Sequence, residues 1–185
     1  GEDGDFGDGG TDYLVERESA GEFMVNLKAR LPGAESLDEE AREVLRVEAG
    51  WPRYGLDMDE SSLLVETGLE HFAVSFTKGC YVGQEFVTRI TQRGQAARHL
   101  RGLVIQNPDL PSRGSSILMA PSDPKPIGEV RSIAFSPAIN KPAALAYIST
   151  RPEGLKHVFV QTSSGATPAE IVDLPFYHPV HRLNS

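Results

Sequence analysis

The sequence has little of what extracellular or membrane proteins rely on: it contains one cysteine and no long apolar run. A single cysteine excludes an internal disulfide, so we expect a reducing intracellular compartment: the cytoplasm, or a mitochondrial or plastid matrix in a eukaryote. A helix that spans a bilayer needs about 20 mostly apolar residues, so we expect no membrane contact. No targeting segment is visible and the chain opens on Gly1, so it could be a processed or truncated product that lacks an upstream half.

Charge is distributed unevenly along the chain. Residues 1–70 hold 19 acidic and 6 basic residues, whereas residues 71–185 hold 7 acidic and 12 basic ones. The net charge of −8 argues against a general nucleic-acid binder, so we expect no direct nucleic-acid binding. The basic second part could hold an anionic ligand, or it could be an ordinary solvated surface.

Six short strand candidates follow residue 94 and indicate a small antiparallel β-barrel. They are separated by Pro, Gly, Ser and Asn clusters and read "RHLRGLVI", "SSILMA", "PIGEVRSIAF", "AALAYIS", "HVFVQT" and "AEIVDL". The stretch before them mixes helical and strand patterns. We therefore predict an α+β protein with a mixed α/β lobe at residues 1–94 and a C-terminal barrel with its tail at residues 95–185.

Four less regular elements are predicted within the lobe at residues 1–94. "GEFMVNLKARLPG" predicts a helix whose apolar residues belong to the core: Phe23, Met24, Leu27 and Leu31. "TDYLVERES" and "HFAVSF" have strand character, and "GQEFVTRITQRG" predicts a helix from Gly83 onward.

The clearest predicted helix lies in "SLDEEAREVLRVEAGWP", and it places a carboxylate among apolar residues. Ala41, Val44 and Leu45 form the apolar stripe, and the next position on that stripe is Glu48. A core-facing carboxylate in the last helical turn loses solvation and meets the negative end of the helix dipole. It therefore needs a partner, such as a ligand N–H pair or an arginine. Alternatively, Val47 shifts the apolar face and Glu48 reaches water.

The single cysteine, Cys80, directly precedes the helix predicted from Gly83. A helix N-terminus and the nearby Lys78 both lower the pKa of a thiol, so Cys80 is a candidate catalytic thiolate. The glycines that flank it, Gly79 and Gly83, allow close approach by a ligand. The alternative is a small buried hydrophobe. No His/Cys cluster accompanies it, so no metal site is predicted.

A basic run extends from the end of that helix into the first barrel strand. It consists of Arg89, Arg93, Arg98, His99 and Arg101. Arginine binds carboxylates through a bidentate fork, so the run could bind an anion if it faces the same cleft as Glu48. The alternative is a solvated helix face.

Three stretches together resemble one superfamily across nearly the whole chain. "LRVEAGWPRYGLDMD" resembles the helix-end motif of the glycine-cleavage T-protein and its relatives. "KGCYVGQE" resembles the signature of the YgfZ family, the folate-binding branch that assists iron–sulfur proteins. "IGEVRSIAFSPAINKPAALAYI" is similar to the "G-x-V-x-S…S-P…A-L-A" run of their C-terminal barrel.

The resemblance implies a three-lobed fold that holds tetrahydrofolate, or a derivative, in a central hole. Glu48 matches the glutamate that hydrogen-bonds the pterin ring, Tyr54 lines the same pocket, and Arg98 meets the glutamyl tail of the folate. The first lobe of the family, which supplies an aspartate used in aminomethyl transfer, has no counterpart in this sequence.

Cys80 separates the two branches, because T-proteins typically carry an acid at this position. The rest of the YgfZ-type signature comprises Lys78, Gly79, Tyr81, Gly83, Gln84 and Glu85. The expected function is therefore that of a folate-binding accessory protein whose partners are iron–sulfur proteins or their assembly machinery, including iron–sulfur enzymes that modify tRNA. The alternative is a tetrahydrofolate-dependent aminomethyltransferase, and a third hypothesis is an interaction module with a decayed pocket. Whether the chain is an enzyme stays open at this point.

Overall fold

The computed structural model describes residues 11–75, 79, 96–149 and 154–177. Four helices precede the barrel in these ranges: α1 (Ala20–Arg30), α2 (Glu39–Glu48), α3 (Leu64–Thr67) and α4 (Glu70–Ala73). Six strands follow: β1 (Arg98–Ile105), β2 (Ser116–Leu118), β3 (Gly128–Ser136), β4 (Lys141–Ser149), β5 (His157–Thr162) and β6 (Gly165–Val172). This arrangement confirms the predicted α+β class.

The six strands form a closed barrel in the order β1-β4-β3-β2-β5-β6, and every neighbouring pair is antiparallel. Alternate residues point inward, because successive side chains of a strand lie on opposite faces. The interior is filled by aliphatic side chains, which include Leu103, Ile105, Val130, Val158 and Val160. The predicted antiparallel barrel is therefore confirmed.

A bulge in β3 changes which residues face outward. The register shifts between Val130 and Ser132, so Arg131 is the extra residue. Beyond the bulge, Ser132, Ala134 and Ser136 lie on the outer face of the barrel and are buried there. The bulge thus gives β3 a row of small side chains against which a helix can pack.

Helix α2 packs on this row and closes a second core on the outside of the barrel. Val47 is fully buried and lies with Leu145 and Tyr147 of β4 and with Leu174 and Phe176 of the C-terminal segment. The backbone N–H of Phe176 also donates to the carbonyl of Glu48 at 2.9 Å. Helix α2 and the segment after β6 therefore fix each other in place.

Gly50 ends α2 in a Schellman motif. The N–H of Gly50 donates to the carbonyl of Val47, and the N–H of Trp51 donates to the carbonyl of Arg46. Gly50 has φ +73°, and a Cβ at this position would lie 2.7 Å from Cβ of Leu174. Only glycine satisfies both the left-handed conformation and this contact.

Three predictions about the lobe at residues 1–94 are wrong. Helix α1 forms as expected but buries none of its residues, and Met24 and Leu31 are 44% and 51% exposed. The apolar face of α1 contacts no core within the described ranges. "TDYLVERES" forms no strand. The first three residues of "HFAVSF" belong to α4, because short apolar runs do not distinguish a strand from a helix. The helix predicted from Gly83 lies outside the described residues.

Candidate ligand-binding site

A buried ion pair joins α2 to the loop that follows it. Nη1 of Arg46 lies 2.7 Å from Oδ2 of Asp57, and the two residues are 6% and 1% exposed. The hydroxyl of Ser132 on β3 donates to Asp57 at 2.6 Å and accepts from Arg46 at 2.6 Å. The N–H of Arg53 donates to Asp57 at 2.9 Å. This Arg46–Asp57–Ser132 network anchors the last turn of α2 to the barrel.

Glu43 supports the network from its solvent side. Its carboxylate accepts two hydrogen bonds from the guanidinium of Arg46. These bonds hold the pKa of Glu43 below its usual value, although partial burial acts against them. Burial alone would lower the pKa of Arg46, but Glu43 and Asp57 raise it overall. Arg46 is therefore a permanent buried cation with two carboxylate partners.

Glu48 lies two residues further along α2 and is 4% exposed. Its Oε1 accepts a hydrogen bond from the hydroxyl of Ser136 and another from the N–H of Ala138 at 3.1 Å. Ser136 is the last residue of β3, and Ala138 lies in the turn between β3 and β4. The side chain therefore points inward, as its place on the apolar stripe indicates, and does not reach bulk water.

Among the described residues, the donors around Glu48 engage one of its two carboxylate oxygens, Oε1. Within the described ranges, both side-chain hydrogen bonds to Glu48 end on Oε1. A buried carboxylate is stabilised when both oxygens accept hydrogen bonds. This arrangement fits a ligand that presents an N–H group to Oε2, so the residues present are compatible with the pterin of a folate.

Arg98 is the first residue of β1 and lies beside the end of β4 that is remote from Glu48. Ser136, which holds Glu48, pairs with Lys141 at the start of this strand, whereas Arg98 pairs with Ser149 at its end. Eight residues at about 3.3 Å each place these ends roughly 26 Å apart along the strand. The structure therefore does not bring Glu48 and Arg98 into one contact, and a molecule that touched both would have to be extended.

The side chain of Arg98 has two partners of its own. Its Nε donates to Oε2 of Glu66 at 3.0 Å, and its Cζ lies 4.6 Å from the centroid of the Tyr147 ring. Glu66 is 7% exposed, so this ion pair is partly shielded from water. Arg98 is thus already bound by protein groups on the outer face of the barrel.

Tyr54 lies on a separate groove. It is 63% exposed and lines a cavity of about 390 Å³ together with Arg46, Trp51 and Met58. Glu48 is not among the described residues that line this cavity. The structure thus places Tyr54 near the ion-pair network and not beside the Glu48 carboxylate.

The signature around Cys80 is largely outside the described residues. Lys78, Cys80, Tyr81, Gly83, Gln84 and Glu85 all fall there, and of this motif only Gly79 is described. The proposed roles of these residues stay predictions. Within the described ranges, no group of three or more His, Cys, Asp or Glu side chains could hold a metal ion, and no helix is long and apolar enough to cross a membrane.

Sequence reasoning missed Arg46, Asp57, Ser132 and Ser136. Arg46 sits inside a highly charged helix, where a cation normally indicates a solvated face. One signal was available for Asp57, since it belongs to the same quoted motif, "LRVEAGWPRYGLDMD", as Glu48. The two serines lie four residues apart in "VRSIAFSP" and so share a face, but the bulge at Arg131 hides that this face is opposite to that of Val130.

Comparisons with known proteins support the resemblance. Residues 98–178 match the Glycine cleavage T-protein C-terminal barrel domain. An aminomethyltransferase of Pseudothermotoga lettingae is 34% identical over 137 residues, which cover 74% of this chain and 36% of that protein. One from Thermosynechococcus vestitus is 30% identical over 172 residues, which cover 92% of this chain and 45% of that protein.

The fold comparison agrees with the sequence matches. The crystal structure of the glycine cleavage system aminomethyltransferase T from Bartonella henselae matches with a TM-score of 0.70 and 23% identity, over 84% of this chain and 44% of that chain. The chain thus spans less than half the length of these relatives. Because the relatives are named aminomethyltransferases, they fit the alternative function better than the YgfZ-type interpretation. The barrel at residues 98–178 is of the glycine-cleavage T-protein type, and these matches together support placing the chain in the T-protein-like superfamily.

Proposed function

We propose that this chain forms a folate-binding part of a one-carbon transferase of the aminomethyltransferase type. The observation that carries the proposal is the buried carboxylate of Glu48, whose Oε1 is held by Ser136 and Ala138. Glu48 belongs to α2, which packs on a barrel that matches the T-protein type. In the part of the chain that the structure describes, the other oxygen, Oε2, is left to accept N–H donors from a ligand, and the edge of a pterin supplies such donors.

In this proposal, tetrahydrofolate serves as the acceptor of the one-carbon unit, and the chain supplies binding and orientation. Glu48 holds the pterin, and the Arg46–Asp57–Ser132 network keeps the last turn of α2 in position on β3. Arg98 and Tyr54 stay candidate contacts for more distant parts of the folate. The division into a lobe at residues 1–94 and a barrel unit at residues 95–185 is also part of the proposal.

The test is ligand-induced stabilisation of the complete protein. A ligand that binds only the folded state raises the free energy of unfolding by about 2.7 kcal/mol at 100 times its Kd. We expect tetrahydrofolate to raise the Tm of the wild-type protein and of Glu35→Gln, which alters an exposed carboxylate, but to raise that of Glu48→Gln much less. Equal shifts in all three proteins would remove Glu48 from the site.

A second candidate function is that of the YgfZ branch, and the sequence "KGCYVGQE" favours it. There the folate-binding protein supports iron–sulfur proteins, including enzymes that modify tRNA, and Cys80 is the functional thiol. Two assays separate the candidates. Turnover with an aminomethyl donor and tetrahydrofolate supports the transferase. Loss of iron–sulfur enzyme activity in cells that carry Cys80→Ala, without such turnover in the purified protein, supports the YgfZ-type role.

A further inference from the structure

A cavity of about 190 Å³ lies at the end of the barrel where β1 begins. Two members of the basic run, His99 and Arg101, line this barrel-end cavity. They precede Leu103 of the interior core by four and two residues, so all three belong to the inner face of β1. The rest of the lining comes from β4, from β6 and from the residues before β5: Ile148, Ser149, Gly154, Leu155 and Ile171. The mouth of a β-barrel is a common position for a small-molecule site.

The apolar part of the cavity lining continues the interior of the barrel. Ile148 belongs to the interior core and is 6% exposed, and Leu155 and Ile171 pack against that core. A cavity of about 150 Å³ with an aliphatic and aromatic lining is large enough to hold benzene. The barrel-end cavity therefore accommodates an apolar group of about that size, and it is smaller than the roughly 300 Å³ that a drug-sized ligand needs.

The polar part of the lining carries a positive charge that no described carboxylate offsets. Among the residues that the structure describes, no acidic side chain lines the cavity. Within the same ranges Arg101 has no carboxylate partner, and its Nη1 reaches only the carbonyl of Leu100, at 3.4 Å. Nδ1 of His99 lies 3.2 Å from the carbonyl oxygen of Val65. Because a carbonyl oxygen only accepts, Nδ1 carries the proton of this contact, which holds the imidazole ring in place.

We infer that the barrel-end cavity binds a small monocarboxylate with a compact apolar body. The apolar body occupies the space beside Ile148 and Ile171, and the carboxylate meets the guanidinium of Arg101. Arginine suits this role because its planar fork binds a carboxylate through two parallel N–H groups. The small volume favours one ring or a short branched chain, and the positive charge favours an acid over a neutral molecule of the same shape.

This site is separate from the one proposed around Glu48. His99 pairs with Ile148 on β4, whereas Ser136, which holds Glu48, pairs with Lys141. The two partner positions on β4 are seven residues apart, which corresponds to roughly 23 Å along the strand. The inference therefore does not depend on folate binding.

The experiment titrates benzoate, benzyl alcohol and acetate separately into the complete protein and follows the isoleucine methyl signals by NMR. The signals of Ile148 and Ile171 are identified by their loss in Ile148→Val and Ile171→Val. We expect benzoate to shift both signals saturably and to leave the signal of Ile139 unchanged, because Ile139 lies beside Ser136 in the turn after β3. Benzyl alcohol lacks the charge and acetate lacks the apolar body, so each should bind about five-fold more weakly than benzoate or worse.

Arg101→Gln removes the positive charge and should raise the Kd for benzoate about five-fold, the upper range for an exposed ion pair. Arg17→Gln is the matched control, because it alters an exposed arginine in the segment before α1. It should leave the Kd unchanged. The inference is overturned if benzoate produces no saturable shift of Ile148 and Ile171, or if folded Arg101→Gln binds benzoate as tightly as the wild type. It is also overturned if benzyl alcohol or acetate binds the wild type as tightly as benzoate does, so the wild-type titrations can refute it even if a variant fails to fold.

Discussion

Removal of the Asp57 carboxylate should be among the most destabilising single changes in the part of the chain before the barrel. Asp57 is 1% exposed and receives hydrogen bonds from Arg46, from Ser132 and from the backbone of Arg53. In Asp57→Ala the buried guanidinium loses one of its two carboxylate partners, and three donors lose their acceptor. Breaking a buried ion pair from one side costs about 3–5 kcal/mol. Because Glu43 still binds Arg46, we expect about 4 kcal/mol.

Asp57→Asn separates the charge from the hydrogen bonds. The amide oxygen can keep the donors Arg46 and Arg53, and the amide nitrogen can donate to Ser132, whose oxygen has a second lone pair. The negative charge is lost, and the hydroxyl of Ser132 loses its acceptor. A hydrogen bond to a charged group is worth about 1.5–3 kcal/mol, so we expect a loss of about 2 kcal/mol.

The assay is equilibrium unfolding in urea, followed by the fluorescence of the single tryptophan, Trp51, which lies beside the network. With a slope of about 2 kcal/mol per M, the midpoint should fall by roughly 2 M in Asp57→Ala and roughly 1 M in Asp57→Asn. Asp59→Asn, a change in an exposed carboxylate two residues away, should have a much smaller effect. If Asp57→Ala unfolds at the same urea concentration as Asp59→Asn, the network does not anchor α2, and our explanation of how Glu48 is positioned fails.

Three further predictions follow from the same region. Gly50→Ala should lower the free energy of unfolding by roughly 2 kcal/mol or more, because it combines a left-handed φ with a Cβ contact at 2.7 Å. Gly21→Ala is the control, because its Cβ would meet nothing within 4 Å and it should not destabilise. Similar Tm values for both variants would contradict this prediction. Ser136→Ala leaves the buried carboxylate of Glu48 one donor short and should lower the free energy of unfolding by about 1–3 kcal/mol; an unchanged urea midpoint would show that this bond is not formed. The pKa of Tyr147 is raised in the folded protein, so the phenol adds no pH dependence to stability well below the ordinary tyrosine pKa near 10. Above that pH the phenol ionises first in the unfolded chain, so the free energy of unfolding should fall as the pH rises. Tyr147→Phe should show a smaller fall, measured by urea unfolding between pH 9 and 11.

The barrel could be predicted from the sequence because its information is local. Each of the six strands is a short apolar segment bounded by turn residues, and the structure has strands in all six places. The burial of Glu48 could also be predicted from the sequence, because it follows from the spacing of Ala41, Val44 and Leu45 on one helix. Both features depend on residues close to each other in the chain.

The partners of the buried charges could not be predicted, because they depend on distant contacts. Glu48 and Ser136 are 88 residues apart, and Arg46 and Ser132 are 86 residues apart. Their meeting requires the bulge at Arg131, which no spacing rule indicates. For helix α1, the sequence predicts burial that the structure does not show. Its apolar residues have the spacing of a core helix, yet the described residues bury none of them, since periodicity predicts a face and not what covers it.

The central claim is that the buried carboxylate of Glu48 binds a folate. The most direct measurement is a calorimetric titration of the complete protein with tetrahydrofolate, in which Glu48→Gln is compared with the wild type and with Glu35→Gln. An amide in place of the carboxylate loses a charge-assisted hydrogen bond, worth about 1.5–3 kcal/mol. We therefore predict a Kd at least about ten-fold higher for Glu48→Gln and an unchanged Kd for Glu35→Gln. The same Kd in all three proteins would contradict the account.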